Sequence, residues 1–180
     1  MSPQTKILIA VVAVTGFVVG IALNRPSIEA TSELSGDLSS LLSAELLSVE
    51  PGRDDISLTV KSQLDRLTMI NFWATWCTPC RQEMPLFESM YQLHQTNGFN
   101  VIGIALDSAS KAQPFLDSMD ISYPILYAEQ TGMVIMEENG NPAQLLPYTL
   151  LVDKNGSVLE QKIGQVHEQD ISAWIKAYLK

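Results

Sequence analysis

Residues 71–80 read NFWATWCTPC and contain the only two cysteines of the 180-residue chain. Cys77 and Cys80 stand three positions apart, where an apolar run changes to a helical pattern of residues. Two intervening residues place both sulfurs on one helical turn, close enough to bond to each other. The first cysteine then lies at the helix N-terminus, where free N–H groups and the helix macrodipole stabilise a thiolate. This stretch therefore predicts reversible thiol–disulfide chemistry.

The composition excludes several classes of function. A formal net charge of −9 and the absence of any basic run argue against a nucleic-acid partner. A disulfide between two cysteines so close in sequence closes too short a loop to stabilise a fold. A zinc site would need further Cys or His ligands. The chain has only His94 and His167, and neither stands at a metal-site spacing from the cysteines. We therefore expect no metal and no other cofactor.

The N-terminal residues 1–23 are predicted to be a membrane anchor or a signal. Ile7 to Leu23 is an uncharged apolar run of 17 residues, preceded by Lys6 and followed by Arg25. This length is at the short end for a membrane span and exceeds the usual apolar core of a signal peptide. The run favours one uncleaved transmembrane helix with the rest of the chain exported. Cleavage near Gly20–Ala22 stays open as an alternative.

The remaining chain divides into a linker, residues 24–55, and a domain, residues 56–180. Leucines at helical spacing predict a short amphipathic helix in the linker: Leu34, Leu38, Leu41, Leu42 and Leu46. In the domain, hydrophobic patterns predict strands at 56–60, 67–74, 101–106, 123–127, 148–152 and 157–163. They predict helices at 111–119, 131–138 and 169–179, and one that starts at 77. This order predicts an α/β domain with a mixed central sheet and helices on both faces, in which the last two strands form an antiparallel edge hairpin.

This order, joined to the cysteine motif, resembles the thioredoxin fold and, within it, the membrane-anchored TlpA/ResA-like branch. Four stretches carry the resemblance: residues 71–80, Glu83 with Pro85, residues 146–149, and residues 152–156. The roughly 40 residues between Val101 and Pro147 resemble the extra helix–strand insertion of this branch. The chain departs from the branch at Asp65-Arg66, Leu146 and Tyr148, and the last two positions flank the expected substrate groove.

The resemblance implies a role for each residue of the site. Cys77 is the expected nucleophile, Cys80 the resolving thiol, and the two form a redox-active disulfide. Thr78 and Pro79 separate them, and substrate would also contact Trp76, Leu146 and Pro147. Pro147 is expected in cis opposite the dithiol, although an ordinary trans-proline is the alternative. Asn71 stands where cytosolic thioredoxins have a buried acid, so Glu83 is the candidate for tuning the cysteines and moving protons, unless it is a solvated helix residue.

The predicted function is that of a membrane-tethered thiol–disulfide oxidoreductase on the periplasmic or extracytoplasmic side. The resemblance suggests that it reduces disulfides in exported proteins, with apocytochrome c during cytochrome c maturation as one candidate. A membrane thiol donor would then re-reduce it, and residues 7–23 would contact the lipid bilayer. Three alternatives stay open: an oxidant or isomerase that uses the same residues, a non-catalytic binding module, and a peroxidase-like relative. The Cys-x-x-Cys pair argues against the last of these.

Overall fold

The structure is a computed structural model that describes residues 38–49 and 56–179. Its strands are β1 (Glu45–Ser48), β2 (Ile56–Thr59), β3 (Leu67–Trp73), β4 (Phe99–Ala105), β5 (Ile125–Tyr127), β6 (Tyr148–Asp153) and β7 (Val158–Ile163). Its α-helices are α1 (Ser39–Ser43), α2 (Thr78–His94), α3 (Ala109–Ser118), α4 (Glu129–Glu138) and α5 (Glu168–Tyr178). Short 3-10 helices lie at Val60–Gln63 and Gln95–Asn97.

Within the described residues, seven strands form one mixed sheet in the order β2-β1-β5-β4-β3-β6-β7. Strands β3, β4 and β5 are parallel, whereas β6 is antiparallel to β3 and β7 is antiparallel to β6. The predicted mixed sheet is confirmed. The expected edge hairpin is only half correct, because β6 lies between β3 and β7 and β7 alone is an edge strand.

Strand β3 carries the cysteine motif at its carboxyl end and is buried at every residue. Its alternate side chains enter two separate cores, one on each face of the sheet. Met69 and Trp73 pack with residues of α2, α3 and α5, while Ile70 and Phe72 pack with residues of α1 and α4. Because helices cover both faces of the sheet at β3, its residues do not alternate between apolar and polar.

The N-terminal edge of the sheet differs from the expectation. The leucine spacing predicted a helix through Leu46, but α1 ends at Ser43 and Leu46 lies in β1. Strand β1 pairs antiparallel with both β2 and β5, and Leu46 is buried while its neighbours in the strand, Glu45 and Leu47, are exposed. The leucine spacing is compatible with both a helix and a strand, and residues 45–48 form a strand because they pair with β2 and β5. Part of the predicted linker therefore belongs to the sheet.

The predicted membrane segment, residues 1–23, lies outside the described residues, as does Leu34. Over residues 38–49 and 56–179, the helices are all too short or too polar to cross a lipid bilayer. The segment predicted as a helix–strand insertion contains α3, β5 and α4, which lead from β4 to the loop before β6.

Candidate active site

Cys77 and Cys80 lie at the start of α2, directly after the carboxyl end of β3. Their sulfurs are bonded to each other, and their Cα atoms are 5.3 Å apart. Cys77 is the N-cap residue, and its Sγ accepts the backbone N–H of Cys80 at 3.3 Å. Pro79 lies in the first helical turn, where its missing N–H has no helical partner to lose. In the dithiol form, the same N–H group and the helix dipole would stabilise a Cys77 thiolate.

The turn that joins β3 to α2 is held by the end of β4. The backbone N–H of Thr75 donates to Asp107 Oδ2 at 2.6 Å. The N–H of Cys77 donates to the carbonyl of Ala74 at 3.0 Å and closes the turn. Asp107 is buried and follows β4, the strand that pairs with β3. The sheet therefore positions the first cysteine through its neighbouring strand.

The two cysteines differ in their access to solvent. Cys77 keeps 5% of its surface exposed, whereas Cys80 is completely buried. A groove of about 380 Å³ runs along Cys77, and its lining consists of Trp76, Cys77, Thr78, Pro79, Gln144, Leu145 and Leu146. Trp76 is 66% exposed and Leu145 is 53% exposed, so two large apolar side chains are exposed together in one groove. The arrangement allows a partner to reach Cys77 from the groove while Cys80 stays covered.

The far wall of the groove is the loop before β6. The Leu146–Pro147 peptide bond is cis, as the resemblance implies, and the carbonyl of Pro147 accepts the N–H of Gly164 at 2.8 Å. The buried side chain of Asn141 donates to the carbonyl of Leu145 at 2.8 Å and accepts its N–H at 3.1 Å. Two hydrogen bonds with the Asn141 amide group thus fix the backbone of Leu145, whose exposed side chain lines the groove.

Glu83 lies one turn after Cys80 and is only 1% exposed. Its Oε1 accepts from Asn71 Nδ2 at 2.9 Å, and its Oε2 accepts from the backbone N–H of Val166 at 2.8 Å. Burial raises the pKa of Glu83 from an ordinary 4.5 to about 7, although both hydrogen bonds and the charge of Lys162 oppose the rise. This carboxyl group can therefore gain or lose a proton near neutral pH. The alternative of a solvated helix glutamate is contradicted.

Neutral polar groups surround the buried carboxyl group on the sheet side. Asn71 Nδ2 also donates to Thr149 Oγ1 at 3.0 Å, which links β3 to β6. Tyr123 is buried, and its pKa is raised by burial first and by the negative charge of Glu83 second. Its phenol therefore stays protonated throughout the neutral range. The environment of Glu83 is polar enough for hydrogen bonds but contains no direct ion pair partner among the described residues.

The predicted site residues fall into two groups in the structure. The groove is lined by Trp76, Cys77, Thr78, Pro79 and Leu146, with cis-Pro147 directly after Leu146, whereas Cys80 and Glu83 are buried on α2.

Sequence reasoning missed Asn141, Leu145, Val166 and Lys162. Leu145 could have been found from its place beside Leu146 and Pro147, but Val166 acts through its backbone and gives no sequence signal. Among residues 38–49 and 56–179, no three His, Cys, Asp or Glu side chains come together as metal ligands.

The chain is similar in sequence to several known proteins. The sequence matches the AhpC/TSA family over residues 45–162. It is 32% identical to "Thiol-disulfide oxidoreductase ResA" of Bacillus anthracis over 108 residues, 59% of this chain and 60% of that protein. It is 26% identical to "Sporulation thiol-disulfide oxidoreductase A" of Bacillus subtilis over 125 residues, 67% of this chain and 72% of that protein. The chain thus matches about 60% of the length of the ResA relatives.

Solved structures show the same fold. A thioredoxin-related protein from Neisseria meningitidis serogroup B is 30% identical, with a TM-score of 0.62 over 70% of this chain and 94% of that one. A putative DsbE from Chlorobium tepidum is 24% identical, with a TM-score of 0.60 over 77% of this chain and 95% of that one. These matches confirm the predicted thioredoxin fold.

Proposed function

Because the chain belongs to the AhpC/TSA family and is similar to ResA-type oxidoreductases, we propose that it exchanges disulfides with other proteins through Cys77 and Cys80. The observation that carries the proposal is the bonded cysteine pair at the N-terminus of α2, with one sulfur beside an apolar groove and the other buried. A structural disulfide would not need a groove of exposed apolar residues next to its sulfur.

The first step is attack by the Cys77 thiolate on one sulfur of a substrate disulfide. A bond forms between Cys77 Sγ and that sulfur, the substrate S–S bond breaks, and the other substrate sulfur leaves as a thiolate. The N–H of Cys80, which points at Cys77 Sγ, stabilises the attacking thiolate. The exposed faces of Trp76 and Leu145 hold the apolar residues around the substrate disulfide.

The second step is attack by Cys80 on Cys77 Sγ. The mixed disulfide breaks, the Cys77–Cys80 bond forms, and the second substrate sulfur leaves as a thiolate. Two electrons have then moved from the dithiol to the substrate. Cys80 is completely buried and must lose its proton, and Glu83, one turn further along α2, is the group that can accept it near pH 7.

We further propose the direction and the setting of this reaction. The protein acts as a reductant of exported proteins, apocytochrome c among them, and a membrane thiol donor restores its dithiol. Residues 7–23 tether it to the membrane as a single-pass anchor, with the dithiol on the extracytoplasmic side. The support is the uncharged apolar run near the N-terminus and the resemblance to the TlpA/ResA-like branch.

The test is reduction of insulin by the full chain in detergent, with dithiothreitol as the electron source. Wild type should precipitate insulin chains faster than dithiothreitol alone, and Cys77→Ser should lose this acceleration. Rates equal to the uncatalysed reaction, together with binding of partner proteins, would favour the non-catalytic binding module instead.

The direction of electron flow follows from the reduction potential of the Cys77–Cys80 couple, measured against glutathione or thioredoxin. We expect a value well below the ~−120 mV of a strong oxidant such as DsbA. A potential near that of DsbA would reverse the proposed direction and make the protein an oxidant.

A further inference from the structure

An ion pair joins the edge of the sheet to α5 beside the buried glutamate. Lys162 Nζ in β7 lies 2.5 Å from Asp170 Oδ2 in the first turn of α5. The two side chains are 28% and 23% exposed, so solvent reaches both. Asp170 Oδ2 also accepts the backbone N–H of His167 at 2.7 Å, which fixes the carboxylate at the start of the helix. The N-terminus of α5 therefore positions the Asp170 carboxylate, and this carboxylate binds the Lys162 ammonium group.

A row of cross-strand partners leads from this ion pair to Glu83. Lys162 is the Cα partner of Thr149, and Thr149 is the Cα partner of Asn71. Directly opposed residues of antiparallel strands project to the same face of the sheet. Asn71 donates hydrogen bonds to both Thr149 and Glu83. Lys162 and Glu83 thus lie on one face, separated by two neutral polar side chains.

We propose that Lys162 is a positioning residue for Glu83: its charge stabilises the ionised form of this buried acid, and Asp170 limits that effect. This inference deepens the proposed function and rests on it, because Glu83 is the proposed proton acceptor for Cys80. The partly exposed ion pair thereby influences how much of the buried acid is ionised at a given pH.

The electrostatics of the site support this assignment. Burial has the largest effect on Glu83 and raises its pKa, whereas the hydrogen bonds from Val166 and Asn71 and the charge of Lys162 lower it. Val166 and Asn71 are neutral donors. Lys162 is the charged group whose effect lowers the pKa of Glu83.

Two further groups near Glu83 are neutral, and a further titratable side chain on this side is His167, the N-cap of α5, which directly follows Val166 and acts electrostatically on Asp170. Thr149 of β6 is a hydroxyl, and Tyr123, before β5, remains a neutral phenol. Cys80, one turn earlier on α2, is held in the disulfide and does not titrate in the oxidised protein. A titration of Glu83 in the oxidised protein therefore reports the effect of the Lys162–Asp170 pair without interference from the thiols.

The experiment follows the ¹³C signal of the Glu83 side-chain carboxyl group in the oxidised full chain as pH is varied. Glu83→Gln identifies the signal by its loss. Lys162→Gln should raise the titration midpoint by about 0.5 pH unit, and Lys162→Arg should leave it near the wild-type value. Asp170→Asn should lower the midpoint, since it removes the anion next to Lys162 but keeps an acceptor for the N–H of His167.

Lys154→Gln is the matched control, because it removes the same charge from an exposed position in the β6–β7 turn. Its midpoint should equal that of wild type. A midpoint unchanged in Lys162→Gln, or shifts of the same sign in Lys162→Gln and Asp170→Asn, would overturn the proposal. Loss of packing alone does not produce shifts of opposite sign.

A second readout connects the ion pair to the cysteines. The reduction potential of the Cys77–Cys80 couple, plotted against pH, changes slope where a linked group titrates. That change of slope should move to higher pH in Lys162→Gln and to lower pH in Asp170→Asn. The carboxyl titration needs no substrate or electron donor, so its outcome is independent of the insulin assay, and failure of either proposal can be recognised separately.

Discussion

The backbone N–H of Val166 donates to Glu83 Oε2 at 2.8 Å, across 83 positions of sequence. The bond joins the first half of the cysteine-bearing helix α2 to the segment that precedes α5. It satisfies one carboxyl oxygen, and Asn71 satisfies the other, but neither donor carries a charge. Because the carboxyl group is buried and has no direct counter-ion, its proton affinity is raised into the neutral range.

Glu83 should make the stability of the oxidised protein depend on pH. Its pKa is about 7 in the folded state and 4.5 ordinarily, so the folded state binds more protons between these values. The free energy of unfolding should then fall as pH rises from 4.5 to 7, by roughly 3 kcal/mol from this group. Glu83→Gln lacks this loss and keeps an acceptor for Val166, so it should gain stability relative to wild type as pH increases.

Urea unfolding of both oxidised proteins at pH 5 and pH 8 measures this difference. Glu138→Gln, at an exposed position of α4, is the control for loss of one carboxylate and should follow the wild-type pH profile. Parallel profiles for Glu83→Gln and wild type would show that Glu83 does not titrate between these pH values.

The two cysteines should give different trapped species. Cys80→Ser retains the accessible sulfur of Cys77 but cannot resolve the mixed disulfide, so it should accumulate a covalent complex with insulin. Cys77→Ser retains only a buried thiol and should accumulate none. Non-reducing electrophoresis measures both. Equal amounts of complex in the two variants would contradict the assignment of nucleophile and resolving thiol.

The exposed apolar residues of the groove should determine affinity for substrate proteins. Trp76→Ala or Leu145→Ala should raise KM for insulin about tenfold, which corresponds to ~1.4 kcal/mol of lost apolar contact. The reduction potential should stay unchanged, since Cys80 is buried outside the groove that the two side chains line. Leu93→Ala, at a 65% exposed position near the end of α2, is the matched control and should leave KM unchanged. A lower kcat with unchanged KM would argue against a binding role.

The amide of Asn141 should be needed to hold the loop that presents Leu145. Asn141→Ala removes both hydrogen bonds to the backbone of Leu145 and leaves its part-buried N–H and carbonyl groups without these partners. We expect a loss of about 2 kcal/mol in the free energy of unfolding and a higher KM for insulin. Asn97→Ala, at an exposed position, is the control. Wild-type stability and KM in Asn141→Ala would mean that the loop is held by its other contacts.

Much of the fold could be predicted from local patterns. The run 67–73 is apolar at five of its seven positions, so it indicated a strand covered on both faces, and β3 is such a strand. The pair Cys77 and Cys80 indicated a dithiol at a helix start because both positions lie within one turn. Local spacing failed where helical and strand periodicity overlap, as at Leu46, which lies in β1 because that strand pairs with β2 and β5.

The residues 71–80 alone were enough to indicate the chemistry, because bond formation between Cys77 and Cys80 needs only neighbours in the chain. The environment of the acid depended on folding. Glu83, Asn71 and Val166 meet across separations of 12 and 83 positions, and the row to Lys162 exists only in the register of β3, β6 and β7. Proton affinity depends on burial and on charges brought close in space, and these arise when distant segments pack together.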